Sequence, residues 1–145
     1  MRIGSDHRFG FAADPATVWG AMASVDQYRS WWPWLRRFEA TELRAGERWR
    51  CEVRPPLPYS VRFVVLLEEV EAPHRIRSSV EGDIVGTAEV ALVEQGTGSE
   101  LRLRSALEPA NALLRSLGAL ARPLARYGHD WVITTGARQF ERSAL

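Results

Sequence analysis

Hydrophobic and polar positions change period along the chain, and each change marks an element. Near the start, His7, Phe9 and Phe11 alternate with Arg8 and Gly10, the period-two pattern of a strand. Asp14-Pro15 then supplies an N-cap followed by proline at the first helical position, where a missing N–H costs nothing. A short helix over Ala16 to Met22 follows, with Val18, Trp19 and Met22 at helical spacing. Asp26 can cap a second short helix, which Pro33 ends. Strands dominate from there. "RFEATE" leads to a turn at Ala45-Gly46. In "RWRCEVR", Trp49, Cys51 and Val53 face one side against Arg48, Arg50, Glu52 and Arg54, as expected of a half-buried antiparallel strand. Beyond the stiff run of Pro55, Pro56 and Pro58, the same parity puts Val61, Phe63, Val65 and Leu67 inward. It does the same for Ile76, Ser78 and Val80, and for Leu101, Leu103, Ser105 and Leu107. "GTAEVALVEQ" is the strand between these last two, and Gly96-Thr97-Gly98-Ser99 reads as a hairpin turn.

The last third switches to a period of three to four. Leu113, Leu117, Leu120, Leu124, Gly128, Trp131, Thr135 and Gln139 form one helical face, with Pro123 expected to kink or divide the helix. The order is strand, two short helices, six strands, long helix. Antiparallel strands with segregated helices mean an α+β fold, and no linker divides the 145 residues, so a single domain over residues 1–145 is expected.

Composition narrows the chemistry. Every one of the 19 basic residues is arginine. No lysine is available for a Schiff base or a phosphate-binding loop, which excludes several enzyme classes. The net charge of +1 gives no general drive toward nucleic acid. The regularly spaced arginines alternate with apolar residues, which marks the wet side of strands. Cys51 is the only cysteine, so no intramolecular disulfide can form. No secretory pattern or membrane-spanning run is present, and cytoplasmic residence is the expectation.

His7, His74 and His129 lie far apart and make no pair at metal-ligand spacing, so neither metal nor another cofactor is expected. His129 falls about 120° from the centre of the long helix's apolar face at ~100° per residue, the position of a structural or exposed residue. Cys51, flanked by Trp49 and Val53 on the inner face, reads as a small hydrophobe with a raised pKa. Gly82, Gly86, Gly96 and Gly98 sit between strands rather than before a helix, so they are bulge and turn glycines, not a phosphate cradle. The cluster Trp31, Trp32, Trp34 packs a short helix on the sheet end or forms a lip of a pocket.

Several segments in this order resemble the SRPBCC superfamily, which includes START-like, Bet v 1-like and polyketide cyclase/dehydrase-type proteins. "AADPATVW" resembles its opening strand-to-helix junction, and "VDQYRSWWPWLRR" its aromatic segment before the second strand. "EGDIVGTAEVALVEQGTGSELRL" resembles its glycine-punctuated hairpin, and "RPLARYGHDWVITTGARQF" its last helix. The resemblance implies a helix-grip fold: a curved antiparallel sheet of about seven strands wrapped around a long C-terminal helix, enclosing an apolar cavity. Members bind lipids, sterols, polyketides and hormones, and some are enzymes. Where such proteins commonly carry aromatic residues before the last helix, this chain has Ser105-Ala106-Leu107, small side chains that enlarge or reshape the pocket.

Inward parity of four strands, with the helix face, predicts a cavity lined by Trp49, Phe63, Ile76, Ser78, Leu103, Ser105, Trp131 and Thr135. Apolar walls with a few hydroxyls suit an oriented hydrophobic ligand. Gly82 and Gly86 are where a bulge is expected to shift the register. The leading expectation is a module binding a hydrophobic small molecule of lipid or polyketide type. The alternatives are a metal-independent polyketide cyclase or dehydratase and, more weakly, a protein-interaction domain. Pairing of two copies is left open.

Overall fold

The computed structural model describes residues 3–110 and 121–145. The chain runs through β1 (Ile3–Phe11), α1 (Pro15–Met22), a 3-10 turn (Val25–Gln27), α2 (Tyr28–Trp31), β2 (Leu35–Glu39), β3 (Arg48–Val53), β4 (Val61–Glu71), β5 (Arg75–Gly82), β6 (Ile84–Gln95), β7 (Gly98–Pro109) and α3 (Ala121–Ala144). The strands form one antiparallel sheet in the order β1-β7-β6-β5-β4-β3-β2, curled into a half-barrel. This is the helix-grip arrangement. Each consecutive pair from β2 to β7 is a hairpin neighbour, and the chain returns only once, to lay β7 against β1.

Local chemistry sets the boundaries. The Thr17 amide donates to Asp14 Oδ1 at 2.9 Å, with Pro15 at the start of α1, so that cap forms as the sequence predicts. Asp26 instead lies inside the 3-10 turn and accepts from the Gln27 side chain. Pro123 lies within α3, two residues after Ala121, and the stretch before it that it was expected to kink or divide lies outside the described residues. Leu113, Leu117 and Leu120 lie outside the described residues.

The register is interrupted between Leu35 and Arg37 and between Leu67 and Glu69, not at the expected glycines. Gly82 and Gly86 serve close approach. They hold φ of 128° and 150°, and a Cβ on Gly86 would stand 1.9 Å from the Ala106 carbonyl oxygen. The β4 bulge falls beyond Val61, Phe63 and Val65, so inward parity survives through the strands that matter.

The interior divides lengthwise. At one end Phe11, Val18, Leu92 and Phe140 form a buried core with Trp31 and Trp32 against it. Beside it Val25, Tyr28 and Leu35 gather Trp34, Phe38, Trp49 and Cys51. The C-terminal half of α3 is pinned to this end. Trp32 Nε1 donates to the Gly136 carbonyl at 3.0 Å, and Trp34 Nε1 to Gln139 Oε1 at 2.8 Å. The N-terminal half of α3 crosses the other end, where space remains.

Candidate functional site: an apolar cavity under the last helix

A cavity of about 240 Å³ lies between α3 and the sheet. Val53 of β3, Val61, Phe63 and Val65 of β4, Val80 of β5, Ile84 and Ala88 of β6, and Leu103, Ser105 and Leu107 of β7 form its floor. Pro55 and Tyr59 close one side, Glu108 and Pro109 another, and Leu124, Gly128, His129, Val132 and Ile133 of α3 form the roof. Gly128 lets the helix come close: a Cβ there would sit 2.9 Å from Tyr59 Oη.

Of the eight residues predicted to line the site, Phe63, Leu103 and Ser105 do so. Trp49 has the expected parity, but Tyr28 and Phe38 meet it edge-to-face at 5.9 and 5.5 Å, and its indole N–H donates to the Glu42 carbonyl. Ile76 and Ser78 have the inward parity and are buried, yet neither lines this cavity; Ser78 instead borders a second, more polar pocket with Ser5, Ala88 and Ser105. The start of β5 adjoins Leu92, and Val80, near the strand's far end, is the β5 residue that reaches the cavity. Ser78 Oγ donates to the Ala88 carbonyl at 3.0 Å and is satisfied there. Trp131 and Thr135 are half-buried but off the roof, because the face α3 presents is turned from the expected line by roughly 70° at ~100° per residue, toward His129. Gly136 and Phe140, on the turned face, are buried. None of Trp31, Trp32 and Trp34 lines the cavity; all three pack the filled end.

Polar atoms on the wall form a short chain. Ser105 Oγ lies 2.7 Å from Ser5 Oγ and 3.2 Å from His129 Nε2. Burial, the largest influence on His129, holds its pKa below the usual histidine value despite Asp130 beside it. The imidazole is therefore neutral at pH 7. Sequence reasoning set His129 aside because it sought the helix face among large apolar residues. The signal it passed over was the run of small and β-branched residues at Gly128, Val132 and Ile133. It also left His7 and His129 separate, whereas β1 and α3 bring them together. His7 Nε2 lies 3.3 Å from Asp130 Oδ1, and His129 Nδ1 3.5 Å from the same oxygen. Cys51 has the burial expected of it, and its thiol is pushed up to about 12 by desolvation, which leaves no nucleophile there.

A family model described as "Polyketide cyclase / dehydrase and lipid transport" matches residues 6–144. The chain belongs to that family. No curated protein sequence matches this family member significantly. Among solved structures it is similar to the Zhui aromatase/cyclase from Streptomyces sp. R1128, with TM-score 0.81 and 15% identity over 99% of this chain and 94% of that one. It is also similar to TTHA0849 from Thermus thermophilus, with TM-score 0.78 and 16% identity over 98% and 95%. Ara h 8.0201 aligns with TM-score 0.60 and 10% identity over 77% and 81%. At these identities the likenesses establish the shared fold of this polyketide cyclase/dehydrase and lipid transport family member. No helix among the described residues is long and apolar enough to cross a membrane.

Proposed function

We propose that the protein, acting as one domain, binds a single hydrophobic small molecule of lipid or polyketide type between the sheet and α3. The cavity carries this reading. At about 24 cal/mol per Å³ of apolar void, 240 Å³ of empty space would cost roughly 6 kcal/mol. Small domains have only ~5–15 kcal/mol of stability in total, so an occupant offsets a large term. A void of ~150 Å³ admits benzene. By that scale this one has room for about two fused six-membered rings, or an acyl segment of similar volume. Ser105 and His129 supply the sparse polar contacts that orient such a ligand.

Native mass spectrometry of gently purified protein, with extraction of any bound compound, tests the reading alongside titration of an apolar fluorescent probe. We expect one bound molecule per chain, and probe affinity at least tenfold weaker in Ser105→Trp and Ala88→Leu, which fill the space. Absence of both probe binding and any co-purifying compound overturns it. So does full affinity in both folded variants.

One observation favours a second reading, a cyclase or dehydratase acting on a polyketide-like precursor: the hydroxyl–imidazole pair of Ser105 and His129 on an otherwise apolar wall. A neutral imidazole can take a proton from an activated carbon or return one to a departing hydroxyl, while dry walls fold the substrate into a reactive conformer. In this reading His129→Asn abolishes ring formation while leaving probe affinity near that of the native chain. Retained turnover in that variant removes His129 from the chemistry.

A further inference from the structure

We propose that His7, His129 and Asp130 form a binding site for one divalent transition-metal ion, zinc being the best match, against the helix side of the cavity. His7 projects from β1, and His129 and Asp130 from α3, so the donors stand on two regular elements already docked together. His7 Nε2 and His129 Nδ1 are buried atoms with no hydrogen-bond partner. Both face Asp130 Oδ1, at 3.3 and 3.5 Å, and the three donor atoms lie within 4.8 Å of one another.

Those distances are informative. Zinc binds histidine nitrogen and carboxylate oxygen at about 2.0–2.2 Å with tetrahedral geometry. The edge of such a tetrahedron is about 1.63 times the bond length, or roughly 3.3–3.6 Å. The two imidazole-to-carboxylate separations fall on that edge and are long for charge-assisted hydrogen bonds, at about 2.7–2.9 Å.

The surroundings fit a ligating imidazole. Binding through Nδ1 puts the proton of His129 on Nε2, and that atom faces Ser105 Oγ at 3.2 Å, itself 2.7 Å from Ser5 Oγ. A metal-bound histidine is ordinarily steered by such a partner on its second nitrogen. Asp130 is 43% exposed, which gives the ion a route from solvent. Two imidazoles and one carboxylate select zinc, cobalt or nickel over magnesium and calcium, which prefer all-oxygen sets. Three protein donors leave a fourth position open.

The site stands whether or not the cavity holds a ligand. It does separate the two functional readings. With a metal on Nδ1, His129 meets Ser105 only as a donor, so the loaded form belongs with binding rather than with proton transfer by His129.

Untagged protein, stripped with chelator and returned to chelator-free buffer, is titrated with zinc by calorimetry and with cobalt by visible absorption. One equivalent of zinc is expected, with an intense tetrahedral cobalt band that zinc displaces. Magnesium gives neither. His7→Ala and Asp130→Asn each weaken zinc at least a hundredfold, Ser105→Ala weakens it about tenfold, and His74→Ala leaves it unchanged. Circular dichroism of each variant confirms its fold. No stoichiometric zinc or cobalt binding by the native chain overturns the proposal, as does binding that persists in folded His7→Ala and Asp130→Asn. A cobalt spectrum of octahedral intensity overturns the tetrahedral geometry and with it the zinc assignment.

Discussion

Ser105 Oγ and His129 Nε2 meet at 3.2 Å across the seam between β7 and α3, joining the last strand to the last helix by a side-chain bond on the cavity wall. Ser105→Ala removes this bond and the one to Ser5. At about 0.5–1.5 kcal/mol per bond, and roughly 2–4 °C per kcal/mol in a domain of this size, melting should fall by about 2–12 °C. Thermal denaturation followed by circular dichroism reads this directly. An unchanged melting temperature would show that the hydroxyl does not tie the two elements together.

Gly136 sets how closely α3 approaches the tryptophans. A Cβ there would lie 3.1 Å from Trp34 Cζ2. Alanine needs a shift of a few tenths of an ångström and gains about 1 kcal/mol of helix propensity, so Gly136→Ala should be nearly neutral. Valine adds two methyls where there is no room, and overpacking should cost about 1–3 kcal/mol. The bonds from Trp32 to Gly136 and from Trp34 to Gln139 should loosen with it. Denaturant melts and tryptophan emission measure both effects, and a Gly136→Val protein as stable as the native chain contradicts this packing.

Cys51 should resist alkylation. With its thiol at about 12, only about one molecule in ten thousand carries a thiolate at pH 8, against roughly a quarter for an ordinary cysteine near 8.5. Iodoacetamide should label the native protein far more slowly than the unfolded chain, as followed by mass spectrometry. Equal rates would place the thiol in solvent.

Burial of His129 gives stability a pH dependence. Its pKa is lower folded than unfolded, so between the two values the unfolded chain binds more protons. The contribution is fully present above about pH 6.5, the unfolded value, and is lost as pH falls through the folded one. Metal-free native protein should therefore melt at progressively lower temperature as pH drops below about 6.5, and His129→Asn should flatten that slope. Parallel curves for the two proteins would assign the dependence to other groups.

Strand parity carried most of what was legible in advance. Seven strands, their inward faces, the Asp14-Pro15 cap and the turn after Gln95 are local features, written in alternation and in residues with strong turn or cap preferences. The misplacement of Trp49 has a physical cause. Parity tells which face a side chain takes but not how far along the strand the interior is filled, and that depends on α1 and α2, which are remote in sequence. Trp49 was lost for this reason. The turn of α3 was lost because its roof, beyond Leu124, is built from glycine, histidine, valine and isoleucine, while the large Trp131 lies beside it. The meeting of His7 with His129 spans 122 positions of sequence, and no spacing rule reaches that far.

The lengthwise division of the interior also bears on how such a chain can change over generations. Cohesion is concentrated in the rings under α1 and α2, while Val65, Ala88, Leu103 and Val132 bound open space. Replacements at those four positions alter the shape that is accommodated and leave the clamps from Trp32 and Trp34 to α3 untouched. A lineage with this architecture can therefore reshape the cavity in single steps, each tolerated because it draws little on the contacts that keep the chain folded.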